Sequence, residues 1–232
     1  MGEWTEGPAR RAALLVLADG RFPAGTHAHS GGAEAAVRAG RITGVEELAG
    51  YCRGRLHTAG RTAAALAAAA AAGVDPLVLD EAADARTPSP AQRAAARRLG
   101  RQLVRAVRAC WPSAELERLA AARPRGAHQP VVLGLAARTA GLGPADAASA
   151  VAYETVSGPA TACVRLLGLD PFAATGVLAR LAAELDAVAD EASAAGLRAV
   201  VEGPDALPAA SSPLLDLYAE RHAGLQPRLF AS

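Results

Sequence analysis

The chain contains no lysine: all 24 of its basic residues are arginine. A Walker A loop needs a lysine to reach the β- and γ-phosphates. A Schiff-base enzyme, a pyridoxal-phosphate enzyme and a protein kinase each need one too. Those classes are excluded by the count. A GC-rich genome accounts for the missing lysine and the alanine excess together, so the absence carries an exclusion and nothing more. Net charge is almost absent as well, with 23 acidic residues against 24 basic and a formal +1. Nucleic-acid affinity comes from neutralising phosphates with a basic surface, so nucleic acid is not the expected partner. Disorder goes with low hydrophobicity and high net charge, and neither holds here.

Cysteine is scarce. Cys52, Cys110 and Cys163 are far apart in an odd-numbered set with no CxxC pair. That excludes a disulfide framework and a zinc knuckle, and leaves small core residues. Met1 to Arg11 carries acidic residues and no apolar run, so no signal peptide is expected. The longest alanine run, Thr62 to Ala72, falls short of the ~20 residues a membrane span needs, and Gly73, Asp75 and Pro76 end it. The expected location is the cytoplasm, without membrane contact.

What is present is helix-forming. Alanine, leucine and arginine dominate, and no stretch shows period-2 alternation with β-branched enrichment. Thr43-Gly44-Val45-Glu46 reads as a capping box. Val45, Leu48, Cys52, Leu56, Ala63 and Leu66 then form one face of a long helix. Ser89-Pro90, Ser113, Gly143-Pro144 and Asp170-Pro171 read as helix starts, and Trp111-Pro112 as a stop. A short helix lies between Pro76 and Pro88. Leu178, Leu181, Leu185, Val188, Ala192 and Ala195 repeat at helical steps. The expectation is an all-α, single-domain bundle of about eight to ten helices over residues 1–232. The first ten residues are expected to be flexible, residues 196–213 to form a Gly/Pro-rich linker, and residues 214–232 to form a separately placed C-terminal arm.

Three features stand out chemically. The stretch Asp19 to Glu34, DGRFPAGTHAHSGGAE, is unlike the helices around it, and such loops recognise more often than they connect. His27 and His29 form an H-x-H pair able to face one borderline cation such as Zn²⁺ or Ni²⁺. A metal site wants at least three protein ligands, and Glu34, His57 and Cys52 are candidates for the third. Alternatively one histidine hydrogen-bonds the loop and the other packs at its base. Ser30 reads as a helix N-cap. A Ser30–His29–Asp19 triad is disfavoured, because no G-x-S-x-G elbow surrounds the serine. The second feature is an arginine ridge, Arg93, Arg97, Arg101, Arg105 and Arg108, joined by Arg86 and Arg98, with no Asp or Glu from Arg86 to Ala114. It reads either as a solvated face paired with the acidic helix bearing Glu184, Asp186, Asp190 and Glu191, or as a dock for an acidic partner. The third is the C-terminus, where Leu229-Phe230 beside Arg228 wants burial. That tail either folds back onto the domain or inserts into a partner.

Leu14 to Val37 resembles the opening signature of the UreF family of urease accessory proteins, through Leu14, Leu15, Leu17, Ala18, Asp19, Pro23, Gly25, His29, Ser30, Gly32 and Glu34. The likeness continues through Leu99-Gly100-Arg101, His128, Leu133-Gly134 and Val164-Arg165-Leu166. It closes on His222 and Arg228-Leu229-Phe230-Ala231-Ser232. Gly158-Pro159 departs from the pattern, as does Gly168-Leu169-Asp170-Pro171. The resemblance implies a helical, homodimerising scaffold rather than an enzyme. Its implied partners are UreD/UreH, the nickel-carrying GTPase UreG and apo-urease, and its implied task is GTP-dependent nickel insertion. No stably bound cofactor is expected, with Ni²⁺ at most in transit. Pro23, His29, Ser30, Glu34, Arg165, Tyr218, Arg228, Leu229 and Phe230 are the partner-binding candidates, and His27 and His29 the candidates for the nickel path. The alternative is a small helical metal-dependent hydrolase built on His27 and His29.

Overall fold

The computed structural model describes residues 8–20, 22–23, 29–224 and 229–230. They form helices α1 (Pro8–Ala18), α2 (Ala33–Arg38), α3 (Val45–Arg55), α4 (Arg61–Ala72), α5 (Pro76–Ala85), α6 (Pro90–Cys110), α7 (Ala114–Ala122), α8 (Gln129–Thr139), α9 (Pro144–Leu167), α10 (Pro171–Arg180), α11 (Ala182–Glu202) and α12 (Pro213–Ala223). A π-turn, Leu56–Gly60, joins α3 to α4 without a break, so eleven continuous helices result, and no strand, among the described residues. The all-α expectation holds, and the count lies just above the expected range. No helix among the described residues is long and apolar enough to cross a membrane.

Local chemistry sets most helix ends. Ser89, Ser113, Asp75 and Asp170 each accept a backbone N–H from the first turn that follows, satisfying donors that have no partner inside the helix. α6 stops at Trp111, before Pro112. The capping box at Thr43 does not form. Gly44 takes the cap position, with no side-chain bond to the helix. The leucine stripe after Asp170 crosses a break at Leu181, between α10 and α11. α11 also runs through to Glu202, so the expected linker shrinks to the segment after it, which holds a 3-10 turn at Pro204–Ala206. α1 begins at Pro8, so the last three residues expected to be flexible are helical.

α4 is the central element, flanked by α8, α9 and α11. Ala64 to Ala71 are all buried, and methyl side chains let neighbouring backbones approach closely. Gly134 of α8 lies against α4 where a Cβ would collide with the Ala67 carbonyl. Gly134→Val therefore destabilises the chain by about 3 kcal/mol, read as a lower urea midpoint at unchanged slope. One apolar cluster surrounds α4, and a second lies between α2, α3, α9 and α10.

A buried ionic knot ties the far side. Asp80 of α5 is fully buried and accepts hydrogen bonds from Arg97 (3.1 Å), Arg123 (2.7 Å) and the His128 backbone N–H (2.8 Å). Asp84, one turn on, accepts from Arg97 and from His128 Nε2. Burial raises the Asp84 pKa, but those bonds outweigh it and hold the carboxyl below its ordinary value. Arg86 has a different task. Its guanidinium donates to the carbonyls of Pro204, Leu207 and Pro208, fixing the segment after α11.

Candidate functional site

The Asp19–Glu34 stretch and the chain's end meet at one carboxylate. Glu34, in the first turn of α2, is fully buried. Its Oε1 accepts from Arg38 (3.0 Å) and from the Leu229 backbone N–H (3.1 Å). Its Oε2 accepts from His222 Nε2 and from the Phe230 backbone N–H, both at 3.0 Å. A carboxylate cannot donate, so Nε2 of His222 carries the proton in this contact. Burial pulls the Glu34 pKa up, yet the donors from Leu229, His222 and Phe230 outweigh it and hold it below 4.5. Leu229 and Phe230 are thus held against the chain's own domain. Phe230 is buried, with the Arg165 guanidinium carbon 4.9 Å from its ring centroid, a cation–π contact.

The arm before it is seated, not separate. α12 buries Leu215, Tyr218 and His222. Glu220 accepts from the Ser89 hydroxyl and from the Ala91 N–H at the start of α6, and Asp216 accepts from Gln92. The negative group sits where the helix dipole of α6 favours it.

The approach to Glu34 is built by glycine and serine. Gly32 precedes α2 at φ 86°, in the left-handed region that favours glycine. The Ser30 hydroxyl accepts the Glu34 N–H at 3.2 Å, so it acts as a cap from two residues ahead of the cap position. Arg55 and Tyr51 reach across to hold the Gly31 carbonyl. Arg55 also donates to the Thr155 carbonyl at 3.2 Å. Pro159, four residues later, has no N–H to offer that carbonyl. α9 therefore continues through Gly158-Pro159, where the sequence suggests an interruption, with Arg55 supplying the missing donor.

The predicted residues separate accordingly. Ser30, Glu34, Tyr218 and Phe230 face inward, His29 is half-buried, and Pro23, Arg165 and Leu229 are exposed. His27 and Arg228 lie outside the described residues. Burial, with the Arg98 charge adding to it, lowers the His29 pKa to about 4, so this imidazole is neutral at pH 7. His29 lines a cleft of about 490 Å³ between α4, α6, α9 and α12. It also lines a neighbouring cavity of about 390 Å³ reached by Phe22 and Phe230. Both cavities touch Glu154, whose pKa burial raises. Arg55 and Tyr51 carry no sequence signal, and the ridge that includes Arg86 does not disclose its role, because their partners are backbone carbonyls far along the chain.

The candidate third metal ligands are engaged elsewhere. Glu34 holds the tail, His57 contacts Glu184 at 2.9 Å, and burial pushes the Cys52 thiol up to about 12. Among the described residues no three His, Cys, Asp or Glu side chains converge to hold a metal ion. The hydrolase alternative rests on His27, which lies outside the described residues.

A UreF family model matches residues 42–182. The urease accessory protein UreF of Mycobacterium sp. (strain JLS) is 43% identical over 220 residues, covering 94% of this chain and 97% of that protein. The UreF protein of Mycolicibacterium vanbaalenii is 42% identical over 225 residues, 95% and 98% of the two chains. That of Mycobacterium marinum is 41% identical over 222 residues, with the same coverage.

Proposed function

We infer the role of this chain from one premise: it belongs to the UreF family of urease accessory proteins. Its work is therefore in urease maturation, among protein partners. We propose that it is a non-catalytic, cytoplasmic scaffold, homodimeric, linking the GTPase UreG to UreD/UreH and apo-urease while nickel is inserted. The missing lysine supports this division of labour, since a P-loop GTPase must be a different chain. Nickel is cargo here, and His29, which lines both cavities, is the described residue best placed to meet it in passage.

The observation that carries the scaffold reading is the outer face of the chain's end. α12, Leu229 and Phe230 are anchored to the domain, yet Leu214, Leu217 and Leu229 are 50, 58 and 65% exposed. Apolar side chains held rigidly in water mark a protein-binding surface. Replacing both Leu214 and Leu217 by Glu is expected to weaken UreD/UreH capture at least about tenfold, with the helical circular dichroism unchanged. Capture at the native level by a folded double variant would refute the assignment.

A further inference from the structure

The arginine ridge of α6 is only partly used by the fold. Arg93 donates to the carbonyls of Thr87 and Pro88, Arg97 belongs to the Asp80–Asp84 knot, and Arg108 pairs with Glu117. The acidic helix expected to cover the ridge is elsewhere. Its Glu184 pairs with Arg53 and His57, and its Glu191 with Arg61. Three arginines remain, Arg98, Arg101 and Arg105, all exposed and on one face of α6. Seven residues of helix separate the first from the last, ~10 Å of rise. Exposed Arg125 is next in the chain to Gly126, whose backbone packs against α6 at Arg97 and Arg101.

Among the described residues these four have no partner to take. On α5, Asp80, Glu81 and Asp84 already hold Arg97, Arg123 and His128. On α7, Glu115 and Glu117 hold Arg138, Arg118 and Arg108. On α12, Asp216 and Glu220 hold Gln92 and the start of α6. α8 has no acidic residue. Among the described residues none of the four arginines forms an ion pair, in a chain whose total charge nearly balances. Like charges at helical spacing repel, so the fold gains nothing from collecting them.

We propose that Arg98, Arg101, Arg105 and Arg125 form a docking face for an acidic protein surface. Guanidinium forks bind carboxylates in paired hydrogen bonds, and a charged rim sets the rate and choice of association. A nucleic acid fits less well. Four charges are fewer than the roughly six to ten phosphate contacts of a salt-sensitive duplex binder. The face is read from charge alone; that its occupant is a component of the urease assembly rests on the scaffold reading above.

The test uses the full chain and its variant R98E/R101E/R105E, with R198E/R221E as a control on other exposed arginines. A short glutamate-rich peptide is titrated against each, at low and at high salt. The native chain and the control are expected to bind it salt-dependently, and the triple variant about tenfold or more weakly, with unchanged circular dichroism. Equal binding by the folded triple variant, or tighter binding of a DNA duplex than of the peptide, overturns the proposal. In parallel, capture of UreG, UreD/UreH and apo-urease is measured. If the peptide result holds and none of these is captured even by the native chain, the scaffold reading fails and the face stands. If they are captured equally by both chains and the peptide does not discriminate, the face fails and the scaffold stands.

Discussion

Glu34→Ala releases the end of the chain and costs the fold about 3–5 kcal/mol, the range for removing one member of a buried charged network. The substitution leaves His222 Nε2, two backbone N–H groups and Arg38 without their acceptor, and each buried donor so stranded is costly. Two measurements check it. Urea unfolding reads the stability, and hydrogen exchange at Leu229 and Phe230 reads the release. Glu34→Gln keeps the shape and one acceptor oxygen, and falls between the two. The same contact makes stability pH-dependent. The folded pKa of Glu34 lies below its ordinary 4.5, so the folded state binds fewer protons than the unfolded one around that pH. Its contribution is complete above the ordinary value and is lost as pH falls through the lower folded value. An acid titration of the native chain is expected to show this loss and Glu34→Ala to lack it. Unaltered tail protection in a folded Glu34→Ala protein would contradict the account.

Asp80→Ala has an effect of similar size at the opposite side. It leaves Arg97 and Arg123 facing an apolar gap and strips the His128 N–H of its acceptor where α8 begins. The expected loss is about 3–5 kcal/mol, a fall in Tm of roughly 10 °C for a chain of this length. Because α5, α6, α7 and α8 all meet there, the damage should appear as one earlier transition, not as local fraying. Differential scanning calorimetry distinguishes the two. Asp80→Asn, which keeps one acceptor oxygen but loses the charge, is expected to recover only part of the difference.

The sequence discloses what is local. Ser89, Ser113 and Asp170 could be read as caps because the cap and the N–H it serves lie two or three residues apart. The box at Thr43 failed by a single residue, since Gly44 took the cap position. The stripe from Leu178 to Ala195 is present, but it serves two clusters: Leu181 and Val188 belong to one, Ala192 and Ala195 to the other. A repeat at helical steps cannot show such a division. The candidate site was found as two motifs, the Asp19–Glu34 stretch and the terminal Arg-Leu-Phe. Their meeting was not legible, because Glu34 binds backbone groups 195 and 196 positions away. Arg55 was missed for a similar reason. It mends a gap that Pro159 opens in α9, and nothing near Arg55 announces that need.

Leu229 is gripped by its amide group, not by its side chain, whereas Phe230 is held by both. Every non-proline residue carries the same amide, so the grip imposes no choice of amino acid at position 229. Leu229 points outward there. That side chain is left free to meet another surface, while the anchorage beneath it stays in place. One end of the molecule can in this way be fastened through its backbone and still offer an apolar side chain outward.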